Sequence, residues 1–157
     1  AETSVSVYLG ASLTRDSDLR VEQPAASSRA TFRDVSWQGK DFEMPPHYGF
    51  RVTRFFEAAP SWGASVEFLH YKVYAKTDRA VPVDGVWNGA LVNEIAPLGS
   101  RIQNFSISHG VNLLALNGLY RFTLAQSERF PRGRLNPYLG AGIAYYVLHP
   151  ESTINGL

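Results

Sequence analysis

Apolar and polar residues alternate with a period of two over stretches about ten residues long, and few folds are compatible with that pattern. In residues 4–13, Val5, Val7, Leu9 and Ala11 share one face, and Ser6, Tyr8, Gly10 and Ser12 share the other. Residues 47–56 set Tyr48, Phe50, Val52 and Phe56 against His47, Gly49, Arg51, Thr53 and Phe55. Residues 62–70 set Trp62, Ala64, Val66 and Phe68 against Gly63, Ser65, Glu67 and Leu69, and residues 107–122 and 137–148 supply a fourth and a fifth segment. Successive side chains of a strand point to opposite faces, so a period of two predicts strands. Their length is near the 9–11 residues with which a tilted strand crosses a bilayer, and no run of about 18 apolar residues could cross as a helix.

Composition narrows the class further. Aromatic residues make up 13% of the 157 and charged residues only 18%, below the roughly 25% usual for soluble domains. Fifteen Lys and Arg against fourteen Asp and Glu give a net charge of +1. A strongly basic nucleic-acid binder is therefore excluded. The absence of cysteine excludes disulfides, thiolate zinc sites and cysteine nucleophiles. A soluble β protein and a membrane β-barrel remain.

The connectors choose between them. Segments 14–46 and 76–106 are long and polar, whereas 57–61 is short and 123–135 moderate. Outer-membrane barrels pair long extracellular loops with short periplasmic turns. This predicts that the two long loops share one side and the two turns the other, with residue 1 in the periplasm. Residues 31–37 could carry the strands beyond the membrane as a hairpin. Bacterial single-chain barrels close with an even number of strands from eight upward. The expectation is thus an all-β, up-and-down antiparallel transmembrane β-barrel of eight strands, with five in this chain. Residues 1–157 then form one domain lacking its C-terminal strands, placed in the bacterial outer membrane after removal of a signal peptide. An interior of eight strands is filled by side chains, which excludes a general porin.

Register follows from side-chain sorting. If Phe56 pairs with Trp62, then Phe50 faces Phe68 and Val52 faces Val66 on one side. On the other, Arg51 faces Glu67, Thr53 faces Ser65 and His47 faces Tyr71. One register thus separates apolar pairs from a complementary ion pair. Arg54 alone breaks the apolar face, one pair from the turn, where it can snorkel. Phe56 and Trp62 would stand in the periplasmic aromatic girdle and Tyr48 in the outer one. Leu114, Leu116, Tyr120, Phe122, Leu139, Ile143, Tyr145 and Val147 would face lipid, with Asn117, Arg121 and Tyr138 inside. Leu113 and Leu119 do not fit a polar interior.

Pro137-Tyr138-Leu139-Gly140-Ala141-Gly142-Ile143-Ala144-Tyr145 and Asn117-Gly118-Leu119-Tyr120-Arg121-Phe122 resemble strand motifs of small OmpA/OmpX-like barrels. Three longer blocks are more specific. They are Val35-Ser36-Trp37-Gln38-Gly39-Lys40-Asp41-Phe42-Glu43-Met44-Pro45-Pro46-His47-Tyr48-Gly49-Phe50-Arg51, then Trp62-Gly63 leading to His70-Tyr71-Lys72-Val73-Tyr74-Ala75, and His109-Gly110-Val111-Asn112-Leu113-Leu114-Ala115-Leu116-Asn117. Together, over roughly residues 5–148, they resemble the outer-membrane lipid A oxidase family of Gram-negative bacteria. The resemblance implies oxidation of the proximal glucosamine of lipid A to an aminogluconate unit, using dioxygen. No catalytic set is carried over with it.

The candidate site is read from the residues themselves. All four histidines fall at the extracellular ends of predicted strands, and His47 and His109 should point inward, near Tyr71 and above Glu67. His with carboxylate can hold a divalent or redox metal or act as a general base, so His47, Glu67, Tyr71 and His109 are the catalytic candidates and His47 and His109 the metal ligands. Rim histidines also serve simply as interfacial hydrogen-bonding residues. Arg51 with Glu67 could tune a catalytic group or fill the interior. Lys40, Lys72, Lys76, Arg79 and Arg101 around the rim suit lipid A phosphates, and Trp37 and Trp87 could stack on sugar or cover the barrel mouth. Lys40, Arg51, Lys72 and Trp37 are the substrate-binding candidates. Asp34 and Glu43 could bind a divalent ion or stay solvated. Expected partners are outer-membrane lipid and lipopolysaccharide, with other protein partners open. The rival expectation is a non-catalytic barrel for adhesion, envelope integrity or assembly.

Overall fold

A computed structural model describes residues 1–156, the side chain of Ser108 excepted. Its regular structure is strand, apart from two 3-10 turns at Pro24–Ala26 and Leu98–Ser100. In chain order the strands are β1 (Glu2–Leu9), β2 (Ser17–Gln23), β3 (Ser28–Val35), β4 (Trp37–Gln38), β5 (Tyr48–Phe55), β6 (Trp62–Ala75), β7 (Ala80–Trp87), β8 (Ala90–Pro97), β9 (Ile102–Arg121), β10 (Tyr138–Leu148) and β11 (Glu151–Ile154). The chain divides into two compact units. The first comprises Ala1–Gly10, His47–His70 and Asn112–Val147, and the second comprises Ala11–Pro46, Tyr71–Val111 and the residues from Leu148 onward.

The first unit is a meander in the order β1-β5-β6-β9-β10. Its strands are the five that the alternation predicts, in hairpin sequence. The register of β5 with β6 is the predicted one: Phe50 opposite Phe68, Arg51 opposite Glu67, Val52 opposite Val66 and Thr53 opposite Ser65. The Phe56 amide donates to the Trp62 carbonyl at 2.9 Å, closing the turn as expected. Burial is reversed relative to a water-soluble sheet. Ser65 is 3% exposed and Thr53 7%, whereas their chain neighbours Val66 and Val52 are 46% and 39% exposed. Leu114, Leu116, Tyr120, Phe122, Leu139, Ile143, Tyr145 and Val147 are exposed too.

Contacts across the polar face show that the meander is rolled. β6 and β9 separate β5 from β10, so a flat sheet would hold those two strands about 14 Å apart, at 4.7–4.9 Å per strand. Yet the Phe55 and Tyr138 ring centroids are 6.3 Å apart, and Arg51 Nη1 donates to the Tyr138 hydroxyl at 3.4 Å. Arg121 on β9 likewise reaches Glu2 on β1 at 2.7 Å. The concave side is lined with hydroxyls, carboxylates and guanidiniums, and the convex side with aliphatic and aromatic groups. Leu119 is the exception that the sequence pattern flags. It is buried at 4% and lies over Gly140, where a Cβ would come within 2.6 Å of its Cδ2. The antiparallel all-β expectation holds, but the rolled sheet is open, with β1 and β10 as its ends.

The second unit corrects the reading of 14–46 and 76–106 as loops. Both are folded, mainly into a four-stranded sheet in the order β2-β3-β7-β8. Ala30 pairs with Gly85 on β7, and Ala90 on β8 pairs with Trp87. Both long segments therefore share one unit, while turns 57–61 and 123–135 share the other. The polarity here is that of a protein in water. Val21, Ala30, Phe32, Val35, Val81, Val83, Leu98 and Ile102 form a buried apolar core, with Phe32 edge-on to Trp87 at 5.6 Å. Gly85 lets β3 and β7 close on each other. Its φ is +134°, and a Cβ there would stand 2.3 Å from the Arg29 carbonyl oxygen. Trp87, expected to stack on sugar or cover the barrel mouth, is buried in this core and donates to Asn155 Oδ1 at 3.1 Å.

Candidate functional site

Within the concave face of the first unit, Tyr8, Arg51 and Glu67 form one network. Tyr8 pairs with Gly49 across β1 and β5. The missing side chain at Gly49, where a Cβ would lie 2.4 Å from the Tyr8 ring, lets the phenol lie over β5. Its hydroxyl then donates to Glu67 Oε1. Arg51 Nη2 donates to the same carboxylate oxygen at 2.7 Å, with its guanidinium 6.0 Å from the Tyr8 ring centre. Arg51 and Glu67 are thus together, as expected, and each is engaged by the other. A carboxylate oxygen that accepts from both a guanidinium and a phenol is suited to a structural strut, its charge balanced by Arg51.

The histidines have different surroundings. His47 is buried, accepts the Gly10 amide on its carbonyl at 3.1 Å and packs its ring over Gly10. His70, also buried, has Nδ1 2.9 Å from Asn112 Oδ1 and stacks on Tyr48 with centroids 5.2 Å apart. Sequence reasoning missed Asn112. The register that brings Trp62 to Tyr120 and Ser65 to Asn117 also brings His70 to Asn112, so continuing the β6–β9 pairing would have found it. His109 is 72% exposed and its Nδ1 lies 2.6 Å from Glu151 Oε1, in place of the inward position expected for it. His47 and Glu67 belong to the first unit, Tyr71 and His109 to the second. Among the described residues no group of three or more His, Cys, Asp or Glu side chains is placed to hold a metal ion.

The expected substrate-binding cations have partners inside the protein. Lys72 is 4% exposed, and its ammonium donates to the carbonyls of Glu43 at 3.0 Å and Met44 at 3.3 Å. It fastens the 39–46 loop from below. Lys40 pairs with Glu43 at 3.0 Å and stands 5.0 Å from the Tyr74 ring centre. Trp37 donates from Nε1 to Ser17 Oγ at 2.9 Å and packs against Phe105. Arg101 is held by Glu94 at 2.5 Å. At the surface of the four-stranded sheet, Arg33 bridges Asp84 and Asp18. Its hydrogen bond to Asp84 raises its pKa above the ordinary arginine value.

At the turn end of the first unit, Trp62, Tyr120 and Phe122 form an edge-to-face chain, with centroids 5.0 and 5.1 Å apart. Beyond them β9 and β10 continue into a hairpin, bridged at Leu124–Leu135 and Ser127–Phe130. A cavity of about 250 Å³ opens beside it, lined in part by Phe55, Phe56, Pro60, Arg121, Gln126 and Arg132. No family model, curated protein or solved structure matches this chain.

Proposed function

We propose that this chain is an outer-membrane β-barrel protein that acts on lipid A at the outer leaflet. One observation carries the membrane part: the two units have opposite polarity. The rolled meander hides Ser65 and Thr53 and displays Val5, Val7, Val52, Val66, Leu116 and Ile143, whereas the second unit hides Val21, Val35, Val81, Val83, Phe32 and Trp87. A sheet that turns its aliphatic face outward is at home in hydrocarbon, and aromatic residues belong at the ends of such a face. An open sheet edge is not tolerated in lipid, so closure of β1 and β10 into a barrel belongs to this reading.

The reaction rests on the resemblance to lipid A oxidases. Its balance is simple. The hemiacetal carbon of the proximal glucosamine gives up two electrons and two protons to dioxygen, forming a lactone and hydrogen peroxide, and water opens the lactone to the acid. The sugar gains one oxygen. His47 and His109 are the candidate proton acceptors, because Glu67 is committed to Arg51 and Tyr8. That same engagement of Glu67 by Arg51 and Tyr8 favours the second reading, a non-catalytic barrel. Mass spectrometry of lipid A from cells with and without the gene separates them: the oxidase predicts a gain of one oxygen, abolished by His47→Ala or His109→Ala in a barrel that still folds. An unchanged lipid A mass refutes the oxidase and leaves the structural barrel.

A further inference from the structure

The hairpin joining β9 to β10 carries charge that neither reading uses. Between residues 123 and 136 stand Arg129, Arg132 and Arg134 with a single acid, Glu128. All three arginines are exposed, and among the described residues none has a carboxylate within ion-pair distance. Interleaved with them, Leu124, Phe130 and Leu135 are exposed at 47%, 40% and 61%. The hairpin is rigidly built. Leu124 and Leu135 exchange backbone hydrogen bonds, Gln126 Nε2 donates to the Pro131 carbonyl and Asn136 Nδ2 to that of Gly133. Gly133, at φ +80°, sits where a Cβ would come within 2.6 Å of the Leu124 carbonyl oxygen. The hairpin directly continues the strands bearing Tyr120 and Phe122, and exposed Arg54 lies on the same apolar face as Phe56.

We infer that this hairpin is an anchor for anionic phospholipid headgroups, its arginines on the phosphates and its Leu and Phe side chains at the acyl boundary. The inference rests on the membrane reading and adds to it the chemistry of the lipid recognised. Two features commit it to lipid: among the described residues the three arginines have no carboxylate partner, and they begin where the aromatic border of the apolar face ends. Guanidinium groups pair with phosphate in bidentate fashion, and amphipathic side chains settle at that depth.

Flotation of the full chain with vesicles tests it, using pure phosphatidylcholine against vesicles with a third phosphatidylglycerol, at low and high salt. Each basic residue near an anionic surface contributes about fivefold in partition. Replacing Arg129, Arg132 and Arg134 with Gln should therefore lower partition to the anionic vesicles roughly a hundredfold at low salt, and leave the neutral ones unchanged. Replacing the same three with Lys should retain most of the preference, and Gln at Arg15, Arg20 and Arg29, an equal change of net charge in the other unit, should retain all of it. Equal partition of the parent into both vesicles, or a preference that survives the hairpin Gln variant, overturns the anchor while leaving the membrane reading intact. Failure to associate with either vesicle overturns both.

Discussion

Replacing Val66 with Lys weighs the reversed polarity of the meander directly. Val66 is 46% exposed on the convex face, opposite Val52. Four residues separate it from Trp62, and at about 3.3 Å per residue along a strand tilted near 40° that is roughly 10 Å along the membrane normal. The apolar band of such barrels is about 25 Å tall, so Val66 lies near its middle. A lysine there should destabilise the protein by about 2–4 kcal/mol. In water the same exposed position would accept lysine within about 0.5 kcal/mol. The assay is urea unfolding of the protein in phosphatidylcholine vesicles, read from tryptophan emission, with Val66→Leu as the neutral control. Val83→Lys serves as the second control: Val83 is 2% exposed in the second unit, and a buried lysine there is destabilising whatever the solvent. A Val66→Lys variant that unfolds at the parental midpoint, with Val83→Lys strongly shifted, would show that the convex face meets water and would sink the membrane reading.

Three other outcomes follow from the geometry. Glu67→Gln leaves the Arg51 guanidinium without its counter-charge and should lower stability by about 1–3 kcal/mol. The double variant Arg51→Met/Glu67→Met should regain much of that in a urea titration. Lys72→Met removes two charge-assisted hydrogen bonds to the Glu43 and Met44 carbonyls, and limited proteolysis should then cut within 39–46 several times faster without a change in the global midpoint. Gly85→Ala should disrupt β3–β7 pairing and lower stability by more than about 2 kcal/mol. Gly89→Ala, at φ +80° with open space around it, should lower it by only about 1 kcal/mol.

The sequence was legible where one face of a strand meets a uniform solvent. Five long alternating segments announce the meander, and sorting side chains between its faces fixes the β5–β6 register, because a slip of one residue would exchange Arg51 for Phe50. The second unit escaped for a local reason. Val81 and Val83 do alternate with exposed residues, but Pro82 between them reads as a breaker, whereas it is a strand residue opposite Ile95. Leu98 is wholly buried from a 3-10 turn, where no period announces it. Of the candidate site, Arg51 with Glu67 was readable because cross-strand partners follow from register. The partners of Lys72 and His109 were not. Lys72 is held by main-chain carbonyls, which any sequence offers, and His109 by a carboxylate on β11, a four-residue strand too short to show a pattern.

The open ends of the meander bear on how such a sheet comes to be completed. Every residue of β10 is exposed, and among the described residues no strand lies beyond it or beyond β1 in the pairing order. On the proposed membrane reading each end is a ruler: it dictates the direction, spacing and facing of whatever backbone joins it, since Leu139, Ile143 and Val147 would assign one side to hydrocarbon. A joining strand would have to meet that phase residue by residue, because an offset of one would bring polar groups into the acyl layer. Completion is then a matter of timing. A bare edge in water can capture a wrong neighbour as readily as the right one, so the proposed barrel would need its two edges shielded until they close.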